Sequence, residues 1–347
     1  MNLPGTRVLL SLLPIAALGV LATGCGEMKE TQSQVTERDH VTLMLDYFPN
    51  ADHAAIYAAQ ADGDFARAGL DVTIEAPSDA TTPLRALEAG QTDFAISYEP
   101  DILLARAKGA KVQGVEALVQ KPLTAVISLP KHPIETAADF KGKTIGTAGL
   151  PYQQAYIDTI LQKGAVDPST VKTSNLGFNL VGPLVAGRVD GVLGAFWNYE
   201  GVQLAREKKK PVITKIEDLG VPIYNELVLT ASEDTVRNKG EVVRRLVQAI
   251  GFGAAAVKRD PEAAIEPLLK ASKGLDKGLQ LASLKATIPV MFPEDTSHPY
   301  GWMDVEAWAA YCRWMQANHL ITDNKLFARA FTNEYLAGEG VGDKTDS

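Results

Sequence analysis

The stretch LDYFPNADHAAIYAAQADGDFARAGLDV, residues 45–72, decides the fold. It opens on the end of an apolar run, Val41–Tyr47, that reads as a strand. After Pro49 and Asn50 it carries apolar residues at helical spacing over His53–Ala68, and a second strand-like run, Asp71–Ala76, follows. Strand, helix and strand in succession are the repeating unit of α/β architecture with a largely parallel sheet.

The same alternation extends outward. Strand-like runs at Asp93–Tyr98, Val112–Val119 and Thr124–Leu129 are separated by helical stretches such as Pro83–Glu88 and Asp101–Ala107. A second series has strands at Thr144–Thr147, Val171–Leu176, Gly191–Phe196 and Val212–Ile216, with helices at Tyr152–Lys163, Leu180–Ala186 and Glu200–Glu207 between them. Tyr224–Ala231 is the last strand-like run. Beyond it lie helical patterns at Gly240–Lys258, Pro261–Lys270, Lys277–Ala286, Val305–Asn318 and Asn324–Phe331. The order implies a first lobe over 41–128 and 224–336 with a second lobe, 129–223, inserted into it. Two crossings, near Leu129–Pro133 and Val221–Tyr224, form a hinge, and lobe closure is the motion expected of it.

The 347 residues suffice for two such units. With 46% apolar and 22% charged residues the chain is neither disordered nor a multi-span membrane protein. A formal net charge of -8 argues against a broad basic surface, so nucleic acid is not an expected partner.

Residues 1–24 read as an export signal: Arg7, an apolar stretch from Val8 to Ala22, then small residues. Leu21-Ala22-Thr23-Gly24-Cys25 resembles a bacterial lipobox, with Ala22 where leucine is usual, and that resemblance implies lipidation of Cys25. The polar stretch to residue 40 reads as a flexible tether, and 337–347 as a frayed tail. Cys312, in an apolar and aromatic stretch, reads as a buried small hydrophobe.

The five histidines are scattered and make no metal-ligand spacing. Phosphate-loop, dinucleotide and nucleophile-elbow fingerprints are absent, and the glycines of KGKTIGTAG, residues 141–149, are too loosely spaced for a phosphate cradle. What stands out is a set of aromatic and polar residues at strand ends, where open α/β sheets place ligands. One end carries Asp46, Tyr47, Phe48, Asn50 and His53; another Ser97, Tyr98, Glu99 and Asp101. In the second half Phe178 and Asn179 follow one strand, and Phe196, Trp197, Asn198, Tyr199 and Glu200 the next. The second crossing contributes Tyr224, Asn225 and Glu226. Asp46 or Asn50 could equally cap a helix, and Phe48, Phe178 and Phe196 read more readily as packing. Together, rings flanking a flat ligand and carboxylates and amides on its edge fit a neutral or weakly basic heterocycle.

At these residues the chain resembles the extracytoplasmic solute-binding proteins of ABC transporters. Within them it resembles the branch containing thiamin-precursor (formylaminopyrimidine) binding proteins and, more distantly, thiamin pyrimidine synthase. The resemblance covers about residues 41–320 and is carried by the opening stretch together with DFAISYEPDILLARAKG, GFNLVGPLVAGRVDGVLGAFWNYEGV and GVPIYNELVL. It implies a two-lobed periplasmic-binding-protein type II fold with two crossovers and a ligand cleft between the lobes. It also implies a lipid-anchored, exported monomer facing the extracytoplasmic side, which delivers a thiamin pyrimidine precursor to a permease and its ATPase. Tyr47 stands where many relatives have tryptophan in a WFPN motif; Asn50 and His53 match as they are. Ser97, Tyr98, Glu99, Asn179, Trp197, Asn198, Glu200 and Glu226 fall on branch motifs. The ring contacts expected are Tyr47, Tyr98 and Trp197. The edge hydrogen bonders are Asn50, Asn179, Glu99, Glu200 and Glu226.

Riboflavin or another flat heterocycle is the alternative ligand, or a sulfonate or nitrate as in related branches. An anion calls for Arg, Lys or bare N–H groups at the strand ends, where carboxylates prevail here. In the synthase a lysine that holds pyridoxal phosphate and a histidine four residues later follow the third strand; Ser97 and Asp101 occupy those places. The synthase's cysteine-rich iron motif is also missing before the crossover strand. No enzyme activity and no cofactor are therefore expected.

Overall fold

The computed structural model describes residues 38–338. The expected export signal, the expected lipidation site Cys25 and nearly all of the expected tether and tail lie outside the described residues. β1 (Asp39–Met44) begins inside the stretch read as tether. It buries Val41 and Leu43 and pairs in parallel with β2 (Leu70–Glu75), Val41 opposite Val72. Its other edge pairs in parallel with β3 (Phe94–Ser97). β4 (Val112–Val119) and the late strand β10 (Leu227–Ser232) complete a five-stranded sheet of order β2-β1-β3-β10-β4, in which β10 runs antiparallel to both neighbours.

A second five-stranded sheet, β7-β6-β8-β5-β9, comprises β5 (Thr124–Ser128), β6 (Thr144–Thr147), β7 (Lys172–Asn175), β8 (Gly191–Phe196) and β9 (Val212–Lys215). β5 corrects the sequence reading. It pairs antiparallel with β8 and β9, so the chain crosses between sheets over residues 120–123 and not after Leu129. All five of its residues are buried, and an uninterrupted apolar run reads the same in either sheet.

The helices that position the site are α1 (Ala54–Ala61), α2 (Glu99–Ala107), α3 (Gln153–Lys163), α4 (Glu200–Arg206), α5 (Gly240–Arg259), α6 (Lys277–Met291) and α7 (Val305–Ala317). α1 is alanine-rich and nearly all buried, so α5 packs closely on it. At Gly253 of α5 a Cβ would fall 1.9 Å from the Ala55 carbonyl, which leaves room for glycine alone. The helix expected over Asn324–Phe331 is only a 3-10 turn, Leu326–Arg329. Phe331 instead bridges to Gly114, where the returning chain covers the edge of β4.

In each sheet the chain order reverses beside a central strand, between β1 and β3 in the first and between β6 and β8 in the second. Open α/β sheets bind ligands at the carboxyl ends of strands at such switch points. The two crossing segments are stitched together. Glu226 accepts from the Leu123 N–H at 2.7 Å, the Thr124 N–H at 2.9 Å and the Tyr224 hydroxyl at 2.9 Å. Asn225 donates to the Gln120 carbonyl at 3.1 Å and accepts from the Trp308 indole at 2.8 Å. α7 leans on the second lobe, Tyr311 meeting Tyr156 of α3 hydroxyl to hydroxyl at 2.7 Å.

Candidate ligand-binding cleft

The switch points of the two sheets face each other across a cleft of about 530 Å³, its open mouth included. The first lobe contributes Tyr47, Asn50, Ala80 and Tyr98. The second contributes Ala148, Leu150, Tyr152 and Gln153, around the start of α3, with Phe178, Leu180, Gly194, Phe196, Tyr199 and Glu200; Thr124 and Glu226 close it from the side of the crossovers. Among the described residues no lysine or arginine lines it.

The first-lobe wall is built by a chain of internal hydrogen bonds. Asn50 caps the 3-10 turn Ala51–His53, its Oδ1 accepting from the Asp52 N–H at 2.8 Å. The Asn50 N–H donates to His53 Nδ1 at 3.2 Å, so Nε2 is the protonated ring nitrogen and donates to Asp46 Oδ1 at 2.8 Å. Tyr98 donates its hydroxyl to Asp46 Oδ2 at 2.8 Å. His53 is wholly buried behind the wall and orients Tyr98 through Asp46. At the mouth the Tyr47 ring meets Phe178 edge-on, centroids 4.4 Å apart, and its hydroxyl donates to the Phe178 carbonyl at 3.2 Å. Burial raises both the Tyr47 and the Tyr98 hydroxyl pKa above the ordinary tyrosine range.

The second-lobe wall is differently made. Glu200, at the start of α4, accepts from the Phe196 N–H at 2.8 Å through Oε2, while Oε1 has no side-chain donor among the described residues. Burial raises its carboxyl to about 7. Glu226 is also raised to about 7 by burial, yet both of its oxygens are occupied by the crossovers, Oε1 by the Thr124 hydroxyl at 3.2 Å. Glu200 is therefore the lining carboxyl with an oxygen not bonded by any side chain among the described residues, and Glu226 braces the two crossings.

Of the residues expected at the site, Tyr47, Asn50, Tyr98, Glu200 and Glu226 line the cleft. The others sit elsewhere. Ser97 lies in a neighbouring first-lobe groove with Asp46 and Asp101. Glu99 is buried behind the cleft, accepting from the Asn225 N–H at 2.8 Å. Asn179 is exposed at the surface above a short helix, Val181–Val185. The Trp197 ring is not in the lining: its indole donates to the Pro122 carbonyl at 3.0 Å and Lys215 Nζ lies 4.6 Å over its ring. Asn198 is buried in an interlobe junction, donating to Asp52 Oδ1 at 2.7 Å and to the Thr287 hydroxyl of α6 at 2.6 Å. Burial raises Asp52 to about 6.

Phe178 and Phe196, first read as packing, line the cleft, and Tyr152 and Gln153 were not singled out at all. Both follow β6, a strand end like the others, where the glycines of residues 141–149 suggest a phosphate loop first. Applying the strand-end rule there as elsewhere would have found them. Among the described residues no cluster of His, Cys, Asp and Glu could hold a metal ion.

Two α/β sheets, paired crossovers and a cleft at both switch points make this a protein of the periplasmic-binding-protein fold. In structure it is similar to the alkanesulfonate-binding protein SsuA from Xanthomonas axonopodis pv. citri bound to MOPS, with a TM-score of 0.67 at 18% identity over 86% of this chain and 99% of that one. The chain belongs to the NMT1/THI5-like family, whose model matches residues 50–264. It is 32% identical over 307 residues to the formylaminopyrimidine-binding protein of Halalkalibacterium halodurans, covering 87% of this chain and 92% of that relative. To the 4-amino-5-hydroxymethyl-2-methylpyrimidine phosphate synthase of Legionella pneumophila it is 24% identical over 302 residues, 86% of this chain and 93% of that one.

Proposed function

We propose that the protein is the solute-binding component of an ABC importer, anchored outside the membrane through a lipid on Cys25, and that it captures a thiamin pyrimidine precursor for a permease. The observation that carries the ligand class is the lining: aromatic rings and a protonatable carboxyl, Glu200, with no lysine or arginine among the described residues. Such a lining repels a sulfonate or nitrate and suits a weakly basic ring that offers donors to Glu200. The relative from Halalkalibacterium halodurans, named for formylaminopyrimidine, supports the same class. Binding is favoured over synthase chemistry because Ser97 stands where a Schiff base needs an amine.

Thermal unfolding with formylaminopyrimidine, hydroxymethylpyrimidine, riboflavin, taurine and nitrate tests the reading. A ligand at 100 times its dissociation constant stabilises by about 2.7 kcal/mol, enough to raise the midpoint by several degrees. A rise with a pyrimidine is the expected result. A rise with riboflavin or an anion alone would transfer the protein to another solute.

A further inference from the structure

One lining residue has a donor with nothing to bond. Gln153, at the first turn of α3, is 2% exposed, and its Oε1 accepts from the Leu150 N–H at 3.2 Å. That bond fixes the orientation of the amide, since only the oxygen can accept. Nε2 is left with two N–H groups and no acceptor among the described residues, in a side chain that lines the cleft. Nε2 is not among the fully buried atoms that lack a partner, so it is open to the cleft, where an acceptor on a ligand can take the place of water.

The space for this amide is made by β8. Gly194 also lines the cleft, and a Cβ there would stand 2.3 Å from Gln153 Nε2. Its φ of +105° is likewise outside what a residue with a side chain readily adopts. Two residues further along the strand, the Phe196 N–H holds Glu200. β8 thus meets both groups along its length, leaving room beside Gly194 for the Gln153 amide and holding Glu200 through Phe196, two residues further on.

We propose that Gln153 is the specificity-determining donor of the cleft: its Nε2 donates to a ring nitrogen or carbonyl oxygen of the bound heterocycle while Glu200 accepts from a donor on the same ligand, and Gly194 keeps the place of that amide clear. The inference rests on the heterocycle reading above and adds what the ligand must carry, an acceptor as well as a donor. A hydrocarbon ring with an amino group would satisfy Glu200 and leave Gln153 unpaired.

The test is a cycle between protein and ligand. Hydroxymethylpyrimidine is titrated by calorimetry against the wild-type protein and Gln153→Leu, together with the matched aniline in which both ring nitrogens are CH. The expected result is a loss of about five- to tenfold for the pyrimidine in Gln153→Leu, with the aniline's affinity unchanged by the substitution. Gly194→Ala should reproduce the pyrimidine loss with Gln153 intact. A Gln153→Leu variant that keeps the wild-type preference for pyrimidine over aniline overturns the proposal while leaving the heterocycle reading in place. A wild-type protein that binds neither pyrimidine nor aniline overturns both.

Discussion

The two walls of the cleft spend their polar groups in opposite ways. On the first lobe Asn50, His53, Asp46 and Tyr98 bond to one another, and the cleft is offered a ring whose hydroxyl is already committed. On the second lobe Gln153 and Glu200 are held by backbone N–H groups alone, and no side chain among the described residues bonds either of them. A preorganised wall gives shape at little cost on binding, whereas open hydrogen-bonding groups discriminate among ligands, because a wrong ligand leaves them unpaired. Substitutions on the first wall should therefore be felt in stability and those on the second in affinity.

The largest effect that can break this contrast is at Glu200. Glu200→Gln presents an amide donor where the ligand needs an acceptor, and calorimetry should show a loss of about 30- to 100-fold in pyrimidine affinity, from a hydrogen bond to a charged group worth about 1.5–3 kcal/mol. The melting temperature should hold or rise, since a buried carboxyl is relieved. A loss under threefold would deny Glu200 the role. At His53 the effect should invert: His53→Ala strips Asp46 of a donor in a buried site, costing about 2 kcal/mol of stability by denaturant titration, with affinity changed by about threefold at most. Equal effects in both assays would erase the distinction between the walls.

A smaller effect comes with pH. Asp52 at about 6 and Glu200 and Glu226 at about 7 keep protons in the fold that the unfolded chain, with ordinary values of 3.8 and 4.5, has already released. The native state then binds more protons than the unfolded one across about pH 4 to 7, and stability falls as pH rises through that window. Carboxyls held low, such as Asp79 at about 2, act below it. Melting temperatures should decline from pH 5 to 8, and Asp52→Asn should flatten the decline; an unchanged slope in that variant would clear Asp52. The smallest effect is expected at Trp197. Trp197→Ala should leave pyrimidine affinity within twofold while lowering the melting temperature, and a tenfold affinity loss would return its ring to the cleft.

Trp197 also shows where sequence stops informing. Phe196 and Trp197 are neighbours at the end of β8, and successive side chains on an extended strand point to opposite sides. The pattern located the strand end correctly, but only the structure supplies the phase that sends Phe196 into the cleft and Trp197 toward Pro122. The same lack of phase separates lining Tyr98 from Ser97. Alternation of strands and helices made the α/β class legible, since period depends on local residues alone. The sheet that takes up β5 depends on partners far along the chain, and its apolar run carries no mark of them. Asn198 and Glu226 were singled out as polar residues near a site. That one latches the lobes and the other braces the crossings follows from distant Thr287 and Leu123, which no local motif contains.

The bracing by Glu226 bears on how a transporter would empty the cleft. One carboxyl clasps the first crossing from within the second, so the two connections are tied to each other, and a hinge motion of the lobes would turn on that one brace. Other contacts join the lobes as well: Tyr47 with Phe178 on the rim, Asn198 with Asp52 and Thr287, and Tyr156 with Tyr311. A membrane partner that drew the lobes apart would have to part these contacts, while the Glu226 clasp would keep the crossings together for the next load.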